Sequence, residues 1–133
     1  MTTAYEREYK KAIESEKEVL PIIIDYFKRD IKATKERYSK YDYYDLEYKY
    51  ELKTRTNKYR QYPTTLITTD KIIENNKIIF LFRFTDGLYF IEYEKELFNT
   101  FKKELFIRNF PTCENNQMRK EHVFIPIDKL TRI

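Results

Sequence analysis

Apolar side chains recur at helical intervals over the first part of the chain. From Ala4 to Ile31, Ile13, Leu20, Ile23 or Ile24, Phe27 and Ile31 follow one another at spacings of three, four and seven, which predicts an amphipathic helix with one buried face. Pro21 lies inside it, without an amide hydrogen and crowding the preceding turn, so a kink or two consecutive helices is expected. From Tyr41 to Arg55 the pattern changes to tyrosines and leucines alternating with charged residues, which suits a pleated, half-buried surface. Asp45 fits the first position of a reversing turn, because its carboxylate can hydrogen-bond the backbone two residues on. A loop of Asp45 to Tyr48 makes Tyr44 face Lys49, Tyr43 face Tyr50 and Asp42 face Glu51.

Further along, Lys77 to Phe84 and Leu88 to Tyr93 flank Thr85-Asp86-Gly87, a strong hairpin signal. The unbroken apolar run Ile78 to Phe82 predicts a strand covered on both faces, hence central in its sheet. Glu94 to Leu105 reads as an amphipathic helix with Leu97, Phe98, Phe101 and Leu105 inward, Asn109 to Glu121 as a loop, and Val123 to Ile127 as a final strand. Asp128 is placed to cap a closing turn over Leu130 and Ile133. Between the two hairpins, Thr64 to Glu74 gives conflicting signals: Pro63 can open a helix, but the β-branched run that follows resists one.

The composition is compatible with one packed domain spanning residues 1–133. Of the 133 residues, 41% are hydrophobic and 17% aromatic, enough for a core despite 36% charged residues, and a single glycine with four prolines leaves no flexible linker. Cys113 is the sole cysteine and His122 the sole histidine, so an intrachain disulfide and an ordinary zinc site are both excluded. Neither residue has neighbours that mark a nucleophile or general base. No apolar run approaches a membrane span and Met1 to Glu18 is polar, so a soluble, intracellular protein is expected. The net charge is only +4, yet Lys28 to Tyr62 holds eleven basic against six acidic residues. Such a stretch suits a reader of phosphate backbones, and it equally suits a solvated basic face.

The hairpin concentrates the chemistry. Opposed residues of an antiparallel pair have Cβ atoms about 5 Å apart, and Lys53 returns to the face of Glu51 two residues on. Asp42, Glu51 and Lys53 therefore converge. Two facing carboxylates repel unless a cation lies between them, and Mg²⁺ is commonly held by one or two carboxylates together with phosphate oxygens. Glu-x-Lys also occurs at Glu8 and Glu47, but only at Glu51 does it lie in a strand pattern opposite an acid. A solvated hairpin face whose charges neutralise one another would carry the same residues. On the first helix Glu16, three residues from Ile13 and four from Leu20, points inward or lies at the rim of the apolar stripe and reaches water.

Asp42, Glu51 and Lys53, followed by Thr54-Arg55, resemble the PD-(D/E)xK nuclease superfamily, which includes restriction endonucleases and Holliday-junction resolvases. The resemblance spans roughly residues 10 to 93. It implies an α/β fold with a restriction-endonuclease-like αβββαβ core, a mixed central sheet flanked by helices, in which part of Lys32 to Lys40 forms the first strand and Thr64 to Glu74 the crossover helix. It implies Mg²⁺-dependent hydrolysis of DNA phosphodiester bonds, more as an endonuclease than an exonuclease, with Mn²⁺ as a substitute ion. Asp42, Glu51 and Glu16 would hold the metal, Lys53 would position or help deprotonate water, and Arg55, Lys58, Arg60 and Lys71 would contact the backbone of DNA. A homodimer is compatible with it. The alternative is a nucleic-acid-binding or assembly module that keeps the fold without the chemistry. Tyr38, Tyr41, Tyr43, Tyr44, Tyr48, Tyr50, Tyr59 and Tyr62 surround this region, as half-buried strand residues or, where exposed, as platforms for unpaired bases.

Overall fold

The computed structural model describes residues 3–35, 39–72, 77–108 and 118–133. The expectations for Tyr38, Glu74, Cys113 and the stretch 109–117 fall outside them. The chain is mixed α/β, with one long helix and two sheets.

Helix α1 (Ala4–Phe27) opens with a reciprocal cap, the Thr3 hydroxyl accepting the Glu6 N–H at 3.1 Å and the Glu6 carboxylate accepting the Thr3 N–H at 3.4 Å. It closes at Lys28, whose left-handed φ of 55° lets its N–H reach the Ile24 carbonyl. The expected break at Pro21 does not occur: a single helix runs through it. Pro21 is exposed, so it forfeits one backbone bond on the solvent side while Val19 and Ile23, both fully buried, hold the other face to the sheet. The buried stripe is Ser15, Val19 and Ile23, flanked by Leu20 and Phe27, whereas Ile24 is exposed.

The larger sheet comprises β1 (Lys32–Ala33), β2 (Tyr43–Tyr44), β3 (Tyr48–Thr54), β5 (Lys77–Phe84), β6 (Gly87–Glu92) and β9 (Thr131–Arg132), side by side in that order. Every neighbouring pair is antiparallel except β3 and β5, which run parallel. A second antiparallel sheet has β8 (Met118–Pro126) between β4 (Thr64–Thr68) and β7 (Lys103–Arg108). Strand β5 is central and alternates between two cores: Ile79 and Leu81 meet α1 with Tyr43, Tyr50 and Leu52, while Ile78, Phe80, Phe82 and Phe84 meet Ile67, Val123 and Ile125 of the second sheet. This is the doubly covered strand that its apolar run predicts.

Two predicted helices are corrected. Thr64 to Thr68 is β4, with Thr65 and Ile67 buried and their neighbours half-exposed, followed by one 3₁₀ turn at Thr69–Lys71. The β-branched residues prevail over the Pro63 signal because alternate burial against β8 rewards a strand. The described part of the β3–β5 connection is therefore a strand of the other sheet, not the crossover helix of an αβββαβ core. Glu94 to Leu105 likewise contains only a single helical turn, α2 (Lys95–Phe98), before β7 begins. Phe98 and Phe101 are buried as expected, but Leu105 is exposed on β7. The segment expected as a loop up to Glu121 already belongs to β8 from Met118. The hairpin at Thr85-Asp86 is present, with Phe84 paired to Gly87 and no positive φ at the glycine.

Candidate metal and phosphate site on the β2–β3 hairpin

Two of the three expected cross-strand pairs are present; the third, Asp42 with Glu51, is not a ladder pair, because β2 begins at Tyr43 and the Asp42 N–H bonds the Tyr50 carbonyl. Tyr43 pairs with Tyr50 and Tyr44 with Lys49, and the turn closes through Asp45 N–H to the Tyr48 carbonyl at 2.9 Å. The Asp45 carboxylate accepts the Glu47 and Tyr48 N–H groups at 2.8 and 2.6 Å, and also the Tyr50 hydroxyl at 2.6 Å and the Arg29 guanidinium at 2.7 Å. These bonds hold its pKa far below the usual carboxylate range despite burial.

Asp42 lies at the other end of the pairing. Its N–H bonds the Tyr50 carbonyl at 2.9 Å and its carboxylate accepts the Leu52 N–H at 2.7 Å, completing the edge of β3 where β2 has ended. Burial pushes its pKa up to about 7; the Leu52 N–H opposes this, the carboxyl of Glu16 within hydrogen-bonding reach adds to it, and Lys53 offsets part. Glu51, 4% exposed, is also shifted upward, by burial and then by Asp42, with Lys53 and Lys71 opposing. The Lys53 ammonium is 3.1 Å from the Glu51 carboxylate and that of Lys71 is 3.6 Å from the same oxygen. Asp42, Glu51, Lys53 and Glu16 are thus brought together as the sequence reading expects.

Two further contacts set this geometry. The Tyr43 hydroxyl donates to the Glu16 carbonyl at 2.6 Å, pinning α1 to the hairpin at the residue whose side chain meets Asp42. The Tyr41 hydroxyl donates to the Lys71 carbonyl at 2.8 Å, and burial pushes its own pKa up to about 12. A groove of about 330 Å³ opens beside the acids, lined in part by Glu16, Lys17, Thr34, Lys35, Tyr41 and Asp42. The ion-pairing position of Lys71 and the pinning roles of Tyr41 and Tyr43 escape the sequence reading, because each depends on chain segments far apart in sequence. The parity of Tyr43 with Tyr50 was the one available signal for an inward ring.

The four residues expected along the DNA backbone are dispersed. Arg55 turns inward, donating to the Thr65 hydroxyl at 3.3 Å and to the Leu66 carbonyl, with its guanidinium 5.8 Å from the Phe82 ring centre. Burial lowers its pKa. It fastens β4 to β3 and is corrected to a structural residue, because these acceptors leave its fork facing the protein. Lys71 joins the carboxylates. Lys58 and Arg60 lie past the end of β3, in a separate cleft with Tyr59, Tyr89 and Arg132. His122 is buried against Phe106, its Nδ1 3.1 Å from the Lys120 carbonyl.

Asp42 suits a cation: burial first and the neighbouring Glu16 carboxyl after it raise its affinity for a proton, and a divalent ion would compete for the same position. Among the described residues no three His, Cys, Asp or Glu side chains are grouped so as to hold an ion by themselves, so water and phosphate oxygens would complete the coordination. Among these residues, too, no helix is long and apolar enough to cross a membrane. No family model matches this chain, and neither does any curated protein or solved structure.

Proposed function

We propose that the chain is a divalent-metal-dependent DNA nuclease of the PD-(D/E)xK type, acting at Asp42, Glu51 and Lys53 with Glu16 assisting. The observation that carries this reading is the buried Asp42 carboxyl, raised to about 7, beside Glu16 and near enough to Glu51 for the two acids to raise one another's proton affinity. A carboxylate serving only the fold would have the partners that Asp45 has. The element order supports the reading as well: a helix, three antiparallel strands and then β5 parallel to β3. The β3–β5 connection, with β4 in place of a helix, is a departure from the superfamily pattern.

Asp42 and Glu51 would hold Mg²⁺ or Mn²⁺, with Glu16 as a further oxygen donor. When bound, the ion supplies an acidified water and stabilises charge on the phosphoryl oxygens. Lys53, 3.1 Å from the Glu51 carboxylate, would position the attacking water. Lys71 pairs with the same Glu51 oxygen at 3.6 Å. The groove next to Glu16 and Asp42, with Lys17 and Lys35 on its wall, admits the phosphate-bearing strand.

One observation favours a second reading, a nucleic-acid-binding or assembly module without catalysis. Lys53 and Lys71 both stand within ion-pair distance of Glu51, so the protein's own cations already offset one of the two acids. A divalent-metal titration followed by a cleavage assay on linear, nicked and branched DNA separates the two. Metal binding with cleavage supports the nuclease; tight DNA binding without cleavage in any divalent metal supports the module.

A further inference from the structure

A second cleft, of about 510 Å³, is lined by Lys58, Tyr59, Arg60, Asp86, Tyr89 and Arg132 together with Gln61. It is well separated from the carboxylates. Lys53, Phe82, Tyr89 and Arg132 are consecutive partners across four strands, and three strand spacings amount to roughly 14 Å. The floor of the cleft is a face-to-face pair of rings, Tyr59 on Tyr89, with centroids 3.9 Å apart and planes inclined by 10°. The Arg60 guanidinium lies 5.7 Å from the Tyr59 centroid and that of Arg132 lies 5.9 Å from Tyr89.

Three features make this more than an arbitrary basic patch. First, among the described residues Lys58, Arg60 and Arg132 form no ion pair. Of the acids nearby, Asp86 has an oxygen committed to the Tyr59 N–H at 2.8 Å. Second, the rings are fixed in place: the Tyr59 hydroxyl donates to the Ile127 carbonyl at 2.6 Å, and Tyr59 and Tyr89 both pack edge-on to Phe84. Third, the cleft uses the only glycine in the chain. Gly87 has no positive φ, so its backbone does not require glycine; a Cβ there would stand 3.1 Å from the Tyr89 ring and 3.6 Å from the Arg132 guanidinium. The missing side chain makes room for the Tyr89 ring.

We infer that this cleft binds a nucleoside phosphate, its phosphate held by Lys58, Arg60 and Arg132 and its base laid on the guanidinium and tyrosine planes. Guanidinium groups recognise phosphate through paired donors and also stack on flat rings, and bases stack on aromatic and guanidinium planes with little regard to sequence. The phosphate can belong to a free nucleotide or to a nucleic-acid strand. The inference does not rest on the nuclease reading, since it uses none of the residues at the carboxylate site.

The test is calorimetric titration of the full chain at low salt in the presence of a chelator, so that no divalent metal acts at Asp42 and Glu51. The probes are a deoxynucleoside 5′-monophosphate, the corresponding nucleoside, inorganic phosphate and a five-nucleotide single strand. The monophosphate is expected to saturate and to bind more tightly than either nucleoside or phosphate alone. Lys58→Ala, Arg60→Ala and Arg132→Ala should each weaken it roughly tenfold, the scale of a lost charge-assisted contact. Gly87→Ala should weaken it too, by shifting the Tyr89 ring. Lys58 is exposed, so its variant tests the site even if Arg132→Ala fails to fold, and a melting curve identifies that case. A single strand that binds far more tightly than the monophosphate makes nucleic acid the source; equal affinities make it a free nucleotide; either supports the site. No saturable binding of monophosphate or single strand, inorganic phosphate binding as well as the monophosphate, or unchanged affinity in Lys58→Ala and Arg60→Ala would overturn the proposal.

Discussion

Asp42 and Asp45 stand three residues apart on one hairpin and are treated in opposite ways. Asp45 receives two backbone N–H groups, a tyrosine hydroxyl and an arginine, and its proton is lost well below the usual carboxylate range. Asp42 receives one backbone N–H, faces Glu16, and keeps its proton up to about pH 7. Burial acts on both; the difference is in what the surroundings offer the charged form. A carboxylate whose acceptor capacity is filled by the fold holds the fold together, whereas one that is buried next to another acid has acceptor capacity left over, which the proposed cation would fill. The same contrast separates Arg29, spent on Asp45 and Glu47, from Lys58 and Arg60, which form no ion pair among the described residues.

The largest effect that sharpens this contrast concerns chemistry. Lys53→Ala leaves both acids in place and should reduce single-turnover DNA cleavage by about 10²-fold or more, with metal and DNA affinity nearly retained. Glu51→Gln should weaken metal binding and cleavage together. Wild-type rates in Lys53→Ala would remove it from the mechanism.

Next in size is the structural aspartate. Asp45→Ala strips acceptors from four donors at once and should lower stability by roughly 2–3 kcal/mol in denaturant titration, whereas Asp42→Asn should cost far less. An equal loss in the two variants would abolish the distinction.

The two aspartates also predict opposite pH dependences. Asp42 has a raised folded-state pKa, so its contribution to stability is full below the unfolded value near 4 and is lost as pH rises through about 7. Asp45 has a lowered one, so its contribution is present above the unfolded value and is lost only as pH falls well below it. Melting temperature should therefore decline from pH 5 to 8 through Asp42, and Asp42→Asn should flatten that decline. Mg²⁺ should raise the melting temperature more at pH 8 than at pH 5, since the ion no longer competes with a proton; at 100 times its dissociation constant the gain is about 2.7 kcal/mol. No metal response at pH 8 would break the cation-site reading.

The smallest effect is on salt dependence. If Lys58 and Arg60 touch DNA phosphates, replacing either with Ala should reduce the slope of log affinity against log salt by about one unit, while Arg55→Ala should act through stability instead. A full effect on the slope from Arg55, with none from the other two, would reverse the assignments made from their contacts.

How much could be read in advance follows from the range of each signal. The pairing of Tyr43 with Tyr50 and Tyr44 with Lys49 and the covered strand β5 were legible because turn chemistry and side-chain alternation act over a few residues, whereas the approach of Glu16 to the acids was expected only from the family resemblance. Gly87 shows where a local signal misleads: Asp-Gly marked the hairpin correctly, yet the glycine has no positive φ and serves to clear space for the Tyr89 ring. Thr64 to Glu74 and Glu94 to Leu105 failed for a different reason. The first carried conflicting signals and the second read as a helix from its apolar spacing alone, and the presence of β8 beside both β4 and β7 decided the outcome.

The sequence by itself determined the hairpin, its pairing and the proximity of Asp42, Glu51 and Lys53, since adjacent strands joined by a tight turn have one register that keeps their apolar residues on the buried faces. Only the tertiary structure decided which charges are already satisfied. Arg55 was taken up by β4, Lys71 was delivered to Glu51 through the Tyr41 contact, and Arg132 was carried across the sheet to Tyr89. Each of these outcomes depends on burial and on partners distant in the chain, and desolvation, which separates an occupied carboxylate from one still able to bind a cation, exists only once the chain has packed.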